Sequence, residues 1–427
     1  MKKNFIFLLL PLIWVALISL MTSSDVPVNK NVRGEKIPSK GTIPRLAWYS
    51  VPGKETNLQR YEELKEAGIT INFSFFQTMA DAELSLNMAQ KVGIKIVLSC
   101  PELKTEPEKT VRKFMNHPAI AGYFLRDEPS RSEFADLAKW AKRVQSVDDK
   151  HFCYVNTLPI YAENWQFATG KEQDKASSLT YREYLNTYIK EVPMQFISYD
   201  AYCIIGDSLR ANYYENLEIM ADECRKAGKD FWAFGLTTGS SLPVNFPPPT
   251  LAELRLQIYS ILAYGAQGVQ YFTYWTPAPE ENNIWDFYKG PIGLDGKRTV
   301  TYDRLKQMNE EVMNLSGVFY GSKVLSVRHT GESTPSGTRR LGKLPEGIKV
   351  LDTNGASALV ATLENGDHTF VVVVNSNFKK SMQLTIYGEE KVMKVLKDGT
   401  MVPASFYTNT MEVEPGDVAI YMVPKSV

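Results

Sequence analysis

Two adjacent carboxylates end a run of strand-forming residues in the stretch GYFLRDEPSRSEF, at positions 122–134. They are Asp127 and Glu128, and a proline follows directly. A third carboxylate, Asp200, ends a similar run in FISYDAYC, at positions 196–203. Hydrolysis of a glycosidic bond needs such groups, because one carboxylic acid protonates the leaving oxygen while a second carboxylate attacks, activates water or stabilises the cationic transition state. These three residues are therefore the candidate catalytic residues.

Polar and aromatic residues end the other predicted strands and are candidates for binding a sugar. The C–H bonds of a sugar ring form an apolar patch that suits an aromatic face, whereas an amide suits the hydroxyl groups. The candidate substrate-binding residues are Trp48, Gln77, Asn156, Tyr202, Tyr274 and Trp275.

Eight short runs of β-branched and aromatic residues alternate with amphipathic helical segments. Strands that alternate with helices pair in parallel, because each crossover covers a face of the sheet. The pattern predicts a (β/α)8 TIM barrel, whose active sites form at the carboxyl ends of the strands. An open doubly wound sheet is the alternative, but no glycine-rich phosphate loop follows the first strand. The runs are 43–50, 69–76, 94–100, 120–127, 152–158, 196–203, 231–238 and 268–275.

The predicted helices carry their own start and stop signals. The motifs SRSE, TYRE and TLAE, which begin at Ser130, Thr180 and Thr250, are capping boxes, in which a hydroxyl and a carboxylate each satisfy an orphan backbone group. Glycines stand where helices are expected to end in a left-handed residue. These glycines are Gly68, Gly93 and Gly228.

The pattern changes near Leu325, after which short strands and turns predominate. Motifs such as ENGD and KDGT are typical of hairpin turns. About 100 residues of short strands predict an antiparallel β-sandwich. The predicted organisation is a signal peptide at 1–24, a linker at 25–41, the barrel at 42–322 and the β-sandwich at 323–427.

The first residues predict export from the cytoplasm. Lys2 and Lys3 precede an apolar run from Phe5 to Leu20, and small polar residues follow, as in a secretory signal peptide. An uncleaved N-terminal anchor is the alternative. No other segment is long and apolar enough to cross a bilayer. We therefore expect a periplasmic, cell-surface or extracellular protein with no stable membrane span after cleavage.

Composition narrows the range of partners. The formal net charge of the 427 residues is zero, which offers no electrostatic reason to expect a nucleic acid. The four histidines are scattered and the spacing of the four cysteines matches no metal motif, so we expect no metal or other cofactor and buried free thiols. The predicted partner is a carbohydrate, either an oligosaccharide or a polysaccharide.

The stretch GYFLRDEP resembles the Asn-Glu-Pro ending of the fourth strand in clan A glycoside hydrolases, with Asp127 in place of the asparagine. In that clan the glutamate is the acid/base, which implies this role for Glu128. The YFTYW ending of the eighth strand is similar to the clan's sugar-platform tryptophan, which implies that role for Trp275. A barrel followed by a β-sandwich is also a common glycosidase arrangement. The resemblance implies a glycoside hydrolase, and the signal-peptide pattern predicts that it is exported.

The chain departs from the clan at the seventh strand, where the nucleophilic glutamate is expected and the sequence reads FGLTTGSS. Asp200 is the best replacement. The Tyr-Asp pair of the sixth strand is also similar to that of family 18 glycosidases, in which the substrate's own acetamido group attacks. A carboxyl separation of roughly 6.5–9.5 Å would favour inversion and about 5–5.5 Å retention.

Two other functions are compatible with these residues. The missing glutamate favours a catalytically inactive barrel that only binds glycans. A metal-dependent hydrolase is a further alternative, against which the lack of clustered histidines argues.

Overall fold

The computed structural model of the chain describes residues 34–174, 179–279, 284–406 and 409–424. The predicted signal peptide and the first part of the predicted linker lie outside these ranges. Within them, no helix has both the length and the apolar character needed to span a bilayer.

Eight parallel strands close into a barrel, and each matches one of the eight predicted runs, although the seventh strand begins one residue before its run, at Asp230. The eighth strand pairs with the first, with Val269 opposite Arg45 and Phe272 opposite Trp48. The prediction of a TIM barrel is confirmed. The barrel strands are Arg45–Trp48, Ile71–Phe73, Lys95–Leu98, Ile120–Asp127, Phe152–Thr157, Phe196–Tyr199, Asp230–Leu236 and Gly268–Phe272.

Alternate residues of each strand face the barrel interior or the helices outside. In the seventh strand Trp232 and Phe234 pack inside, while Phe231 and Ala233 pack against the helix layer. This alternation is the period of a β-strand. It decides which side chains can reach the mouth of the barrel at the end of a strand.

Helices cover the outside of the barrel and begin and end where the sequence signals indicate. Thr180 and Thr250 each form a complete capping box with the glutamate three residues later, and Ser130 caps a short 3₁₀ turn in the same way. Gly68, Gly93 and Gly228 have positive φ angles, as predicted. The helices are Leu58–Glu66, Met79–Val92, Pro101–Thr105, Pro107–Phe114, Phe134–Gln145, Asn164–Ala168, Tyr181–Glu191, Tyr213–Lys226, Leu251–Ala263, Val300–Asn314 and Ser316–Phe319, and 3₁₀ turns lie at Gly53–Glu55, Arg131–Glu133, Glu172–Asp174 and Ala404–Phe406.

Two antiparallel sheets follow the barrel and pack face to face around Val360, Val371, Leu384 and Val413. The predicted β-sandwich is confirmed. One sheet has the strand order Glu35–Lys36, Thr400–Pro403, Met393–Val395, Val418–Pro424, His368–Asn375, Ala358–Asn365 and Lys323–Thr330, and the other has Ile348–Asp352, Met382–Gly388 and Thr410–Val413. A hairpin of two short strands, Ile204–Ile205 and Ser208–Leu209, follows the sixth barrel strand.

The chain just before the barrel belongs to the larger sheet of the sandwich. Glu35 and Lys36, within the predicted linker, pair antiparallel with Met401 and Thr400. The backbone N–H of Ile37 donates to the carbonyl of Gly399 at 2.9 Å. Part of the predicted linker is therefore a strand of the larger sandwich sheet.

A buried ionic cluster connects the barrel to the sandwich. Glu311, on a barrel helix, accepts hydrogen bonds from Arg255 and from the Tyr259 hydroxyl, the latter at 2.6 Å. Lys397 of the sandwich lies 3.3 Å from the Glu311 carboxylate and 2.6 Å from Asp417. These contacts hold the pKa of Glu311 below its usual value despite the burial that opposes it.

The substitution Glu311→Ala tests how much this cluster contributes to the free energy of unfolding. We expect the free energy of unfolding to fall by about 3 kcal/mol, because the half-buried Arg255 keeps only its 3.7 Å contact with Asp417 and the buried Tyr259 hydroxyl loses its acceptor. Chemical denaturation followed by tryptophan fluorescence measures the change. Glu310→Ala, which removes an exposed glutamate from the same helix, is the matched control and should cost less than about 0.5 kcal/mol. Equal losses in the two variants would contradict this assignment.

Candidate active site

A cavity of about 240 Å³ opens at the carboxyl ends of the barrel strands. It combines three acidic side chains and an amide with a mostly aromatic wall. Carboxyl ends of the strands are where TIM-barrel enzymes build their sites. The lining residues are Trp48, Asp127, Glu128, Asn156, Asp200, Tyr202, Phe234, Leu236, Phe246, Phe272, Trp285 and Phe287.

The amide of Asn156 links the acidic residues across the site. Its Nδ2 donates to Asp200 Oδ1 at 2.7 Å and to Asp127 Oδ1 at 3.3 Å. Its backbone carbonyl accepts from the N–H of Glu128 at 2.8 Å. Asn156 lies on the fifth strand, between the strands that carry the carboxylates. One residue therefore holds side chains from two strands that are not neighbours.

A hydrogen-bonded column inside the barrel fixes the orientation of the Asn156 amide. Ser198 Oγ donates to Asn156 Oδ1 at 3.0 Å, and Gln270 Nε2 donates to Ser198 Oγ at 2.8 Å. The Tyr154 hydroxyl donates in turn to Gln270 Oε1. These side chains are buried, and a buried polar network that is satisfied in this way rigidifies its members. The column therefore orients the amide nitrogen toward the carboxylates.

The Glu128 and Asp200 side chains line the same cavity, and each affects the pKa of the other. The charge of Asp200 raises the pKa of Glu128, because two neighbouring carboxyl groups repel one another when both are ionised. Tyr202 lines the cavity with them. The acidic groups thus form one electrostatically coupled cluster.

The backbone at Glu128 is in the left-handed region, with a φ of 44°. The strand before it is irregular, since its register with the fifth strand shifts between Phe124 and Arg126. A left-handed non-glycine residue costs on the order of 1–3 kcal/mol and persists only where its surroundings hold it. The hydrogen bond from its N–H to the Asn156 carbonyl does so here.

All three carboxyls of the cluster have raised pKa values. Burial raises the pKa of Asp200, and burial followed by the charge of Asp200 raises the pKa of Asp127. The pKa of Glu128 is also raised, by burial and then by Asp200 and Asp127. Solvent reaches Glu128 from the cavity mouth, which weakens the effect of burial. We therefore attribute the raised pKa of Glu128 mainly to the charges of Asp200 and Asp127. The cluster therefore retains protons at pH values where an isolated carboxyl has lost its own.

An aromatic wall faces the carboxyls. The Trp285 ring is stacked between Phe246 and Phe287, with interplanar angles of 7° and 3°. Phe287 contacts Phe272 edge-on, and Phe272 contacts Tyr202. Flat rings of this kind suit the apolar face of a sugar.

Sequence reasoning missed most of this wall. Phe234, Leu236 and Phe272 were detectable from strand alternation, since each is in phase with an inward-facing residue of its strand. Phe246, Trp285 and Phe287 lie on loops after the seventh and eighth strands, where no periodicity marks them.

The structure does not bring Tyr274 or Trp275 to this cavity. The eighth strand ends at Phe272, three residues before the predicted end, and Phe272 occupies the wall instead. Tyr274 is fully buried and packs near Tyr302, whereas Trp275 is buried beneath the guanidinium of Arg60. Their predicted sugar contacts therefore lack access to the cavity.

The remaining predicted residues lie at or beside the cavity. Trp48, Asn156 and Tyr202 line it together with the three carboxylates, and Gln77 lines a separate cavity next to Trp48 and Phe75. Among the described His, Cys, Asp and Glu side chains, no group has an arrangement suited to a metal ion. All four cysteines are buried and free.

Comparisons with known proteins locate the fold among sugar-cleaving enzymes. No protein-family model matches the sequence, and no curated protein is significantly similar to it. The chain is similar to the solved structure of Gan42B, a GH42 β-galactosidase from G. stearothermophilus, with a TM-score of 0.62 and 8% identity over 92% of this chain and 100% of that chain.

Two further solved structures are similar over most of the chain. A family 39 glycoside hydrolase from the gut symbiont Bacteroides cellulosilyticus WH2 has a TM-score of 0.50 and 10% identity over 90% of this chain and 81% of that chain. A β-galactosidase from the psychrophilic Marinomonas ef1 has a TM-score of 0.51 and 10% identity over 90% and 100%. The resemblance to clan A glycoside hydrolases is confirmed at the level of the fold.

The variant Asp200→Asn tests whether the carboxyl cluster reduces stability. A folded-state pKa above the unfolded value makes the folded protein lose stability as pH rises from about 4 through the folded pKa. The asparagine removes this loss, so we expect the variant to exceed the wild type by about 1–3 kcal/mol in free energy of unfolding at pH 8.

At pH 4, where the wild-type carboxyl is protonated in the folded state, the two proteins should differ little. Chemical denaturation at both pH values measures the difference. Asp149→Asn, at an exposed aspartate, is the matched control and should show no pH-dependent gain. If the wild type has the larger free energy of unfolding at pH 8, ionisation of Asp200 does not destabilise the folded protein, and the prediction is wrong.

Proposed function

We propose that the protein is a glycoside hydrolase that cleaves an oligosaccharide or a polysaccharide. The observation that carries the proposal is the cluster of Asp127, Glu128 and Asp200 in one cavity with an aromatic wall. The clan A-like fold supports it, since the solved structures with this fold are described as glycoside hydrolases. No cofactor takes part in the proposed reaction.

Glu128 is the general acid. Its raised pKa keeps the proton on the carboxyl at neutral pH, and its side chain lines the cavity. The proton passes from Glu128 to the glycosidic oxygen while the bond between that oxygen and the anomeric carbon breaks. The aglycone departs as an alcohol, and Glu128 is left as a carboxylate.

Asp200 is the second carboxylate and acts by electrostatics. Its charge stabilises the positive charge that develops on the sugar ring, and Asp127, held by the same amide, contributes to that field. Asp200 and Glu128 are both held by Asn156, so we infer that they lie too close together to place a carboxylate on each face of the sugar. We therefore assign the attack on the anomeric carbon to water or to a group of the substrate, and the Glu128 carboxylate takes up the proton that the water loses.

We propose that the protein acts outside the cytoplasm. The support is the sequence alone, namely the two lysines, the apolar run and the small polar residues at its start. A polymeric or oligomeric glycan is a suitable substrate in the periplasm, at the cell surface or in the medium.

Glycan binding without catalysis is the second candidate. The end of the seventh strand, where clan A enzymes carry their nucleophile, presents Leu236 to the cavity, followed by the buried Thr237 and Thr238. Thr237 Oγ1 donates to the Thr273 carbonyl at 2.8 Å, which fixes its side chain in the protein. A barrel that only binds would bind glycans and release no product.

Glu128→Gln tests the assignment of the general acid. We expect kcat/KM on a natural glycan to fall by about 10²–10⁴-fold, because the amide has no acidic proton to donate. Turnover of a 2,4-dinitrophenyl glycoside should fall much less, since that leaving group departs without protonation. Glu62→Gln, at an exposed glutamate, is the control and should keep full activity on both. Equal losses on both substrates would reject the role.

Asp200→Asn tests the coupling within the pair. Removal of the neighbouring charge lowers the pKa of Glu128, so the alkaline limb of the pH profile of kcat/KM should move to lower pH than in the wild type. Initial rates on an aryl glycoside between pH 4 and pH 10 measure the shift. An unchanged alkaline limb would show that another group supplies the proton.

A further inference from the structure

A second cavity, of about 470 Å³, lies next to the first at the ends of the first and second barrel strands. Its volume falls in the range of about 300–1,000 Å³ that is common for small-molecule sites. Its lining combines aromatic, hydroxyl, amide and charged groups. The lining residues are Tyr49, Ser50, Pro52, Gly53, Lys54, Ser74, Phe75, Gln77 and Asp81.

Two aromatic rings connect the two cavities. Trp48 lines the first cavity and Phe75 the second, and their ring centroids lie 6.3 Å apart in an edge-on contact. Tyr49 and Ser50 continue the chain directly from Trp48 into the second cavity. A ligand that extends out of the first cavity past Trp48 therefore meets the second.

Phe75 presents a fixed aromatic face. It is 42% exposed, which is unusual for a large aromatic residue at the end of a barrel strand. Edge-on contacts with Phe73 at 5.0 Å and Phe124 at 5.5 Å, together with Trp48, hold its orientation. A rigid ring loses little entropy when a sugar stacks on it.

Two buried hydroxyls in the wall of this cavity have no hydrogen-bond partner in the described part of the chain. Ser50 is 0% exposed and Ser74 is 4% exposed, and neither Oγ finds a donor or acceptor there. A buried hydroxyl without a partner costs free energy and calls for an explanation. A polyhydroxylated ligand in the cavity would supply the partners.

The charges at this cavity balance. Lys54 and Asp81 line it with opposite signs, and Gln77 adds an exposed amide that donates and accepts hydrogen bonds. This balance favours a neutral ligand over a uronic acid or a sulfated sugar.

We propose that the second cavity is a subsite for a further, neutral sugar residue of the chain that is cleaved in the first cavity. The sugar stacks on Phe75 and exchanges hydrogen bonds with Gln77, Ser50 and Ser74. This inference rests on the proposed function and extends it. It makes the substrate an oligosaccharide with one sugar residue in the first cavity and at least one more in the second.

Calorimetric titration tests the subsite in the Glu128→Gln background, which prevents cleavage. The probes are neutral di-, tri- and tetrasaccharides of glucose, galactose, mannose, xylose and N-acetylglucosamine, together with the methyl glycoside of each monosaccharide. We expect at least one oligosaccharide to bind ten-fold or more tightly than its methyl glycoside. Adding Phe75→Ala or Gln77→Ala should abolish that gain and leave the affinity for the methyl glycoside unchanged within two-fold.

Two further variants separate binding from folding. Gln90→Ala, at an exposed glutamine on the next helix, is the matched control for Gln77→Ala and should keep the gain. Ser74→Ala removes a hydroxyl without a partner, so the thermal midpoint should stay the same or rise while the affinity for the oligosaccharide falls. A lower midpoint with unchanged affinity would assign Ser74 a structural role and count against the subsite.

The proposal is overturned if no oligosaccharide binds more tightly than its methyl glycoside, or if Phe75→Ala and Gln77→Ala weaken both alike. Hydrolysis of aryl monoglycosides by the wild type tests the proposed function separately, because such substrates end before the second cavity. Turnover without a gain from chain length would reject the subsite alone, whereas a protein that hydrolyses no glycoside would reject the proposed function.

Discussion

The amide of Asn156 is the constraint on which the candidate site depends. Its nitrogen binds Asp127 and Asp200, its side-chain oxygen accepts from Ser198, and its carbonyl holds the backbone of Glu128. An amide offers donors and an acceptor in one rigid group, so it can face carboxylates on one side and a hydroxyl on the other. The hydrogen-bonded column below it keeps that orientation. Without this residue, nothing between the fourth and sixth strands would bring their acidic side chains together.

Three carboxyls in one cavity reduce the stability of the folded protein, and the rest of the structure offsets this loss. Burial raises the pKa of all three groups, the charge of Asp200 raises those of Asp127 and Glu128 further, and Glu128 adopts a left-handed backbone. Such features cluster at functional sites, because a stable core elsewhere can tolerate them. Here the closed barrel, its capped helices and the ionic cluster with the sandwich supply that stability. The same geometry gives Glu128 a proton at neutral pH, which is what a general acid needs.

Much of the fold follows from local patterns. Eight strand-like runs, three capping boxes and three terminal glycines all correspond to elements of the structure, since each depends on a few adjacent residues. The predicted end of the eighth strand, at Trp275, differs from the observed end at Phe272. Phe272 was predicted to lie within it, but the strand ends there, so Tyr274 and Trp275 turn away from the cavity. A strand boundary shifted by three residues is enough to change which side chain reaches a site, because neighbouring residues point to opposite faces.

By itself the sequence determined the barrel, the sandwich and the presence of Asp127, Glu128 and Asp200 at strand ends, because periodicity and turn chemistry are local. Only the tertiary structure decided that Glu128 and Asp200 line one cavity, that Asn156 joins them, and that Trp285 from a distant loop completes the wall. It also decided the protonation of the cluster, since a pKa depends on burial and on charges that are far away along the chain. Contacts across the mouth of a closed barrel depend on strand order and stagger, which no single stretch of sequence contains.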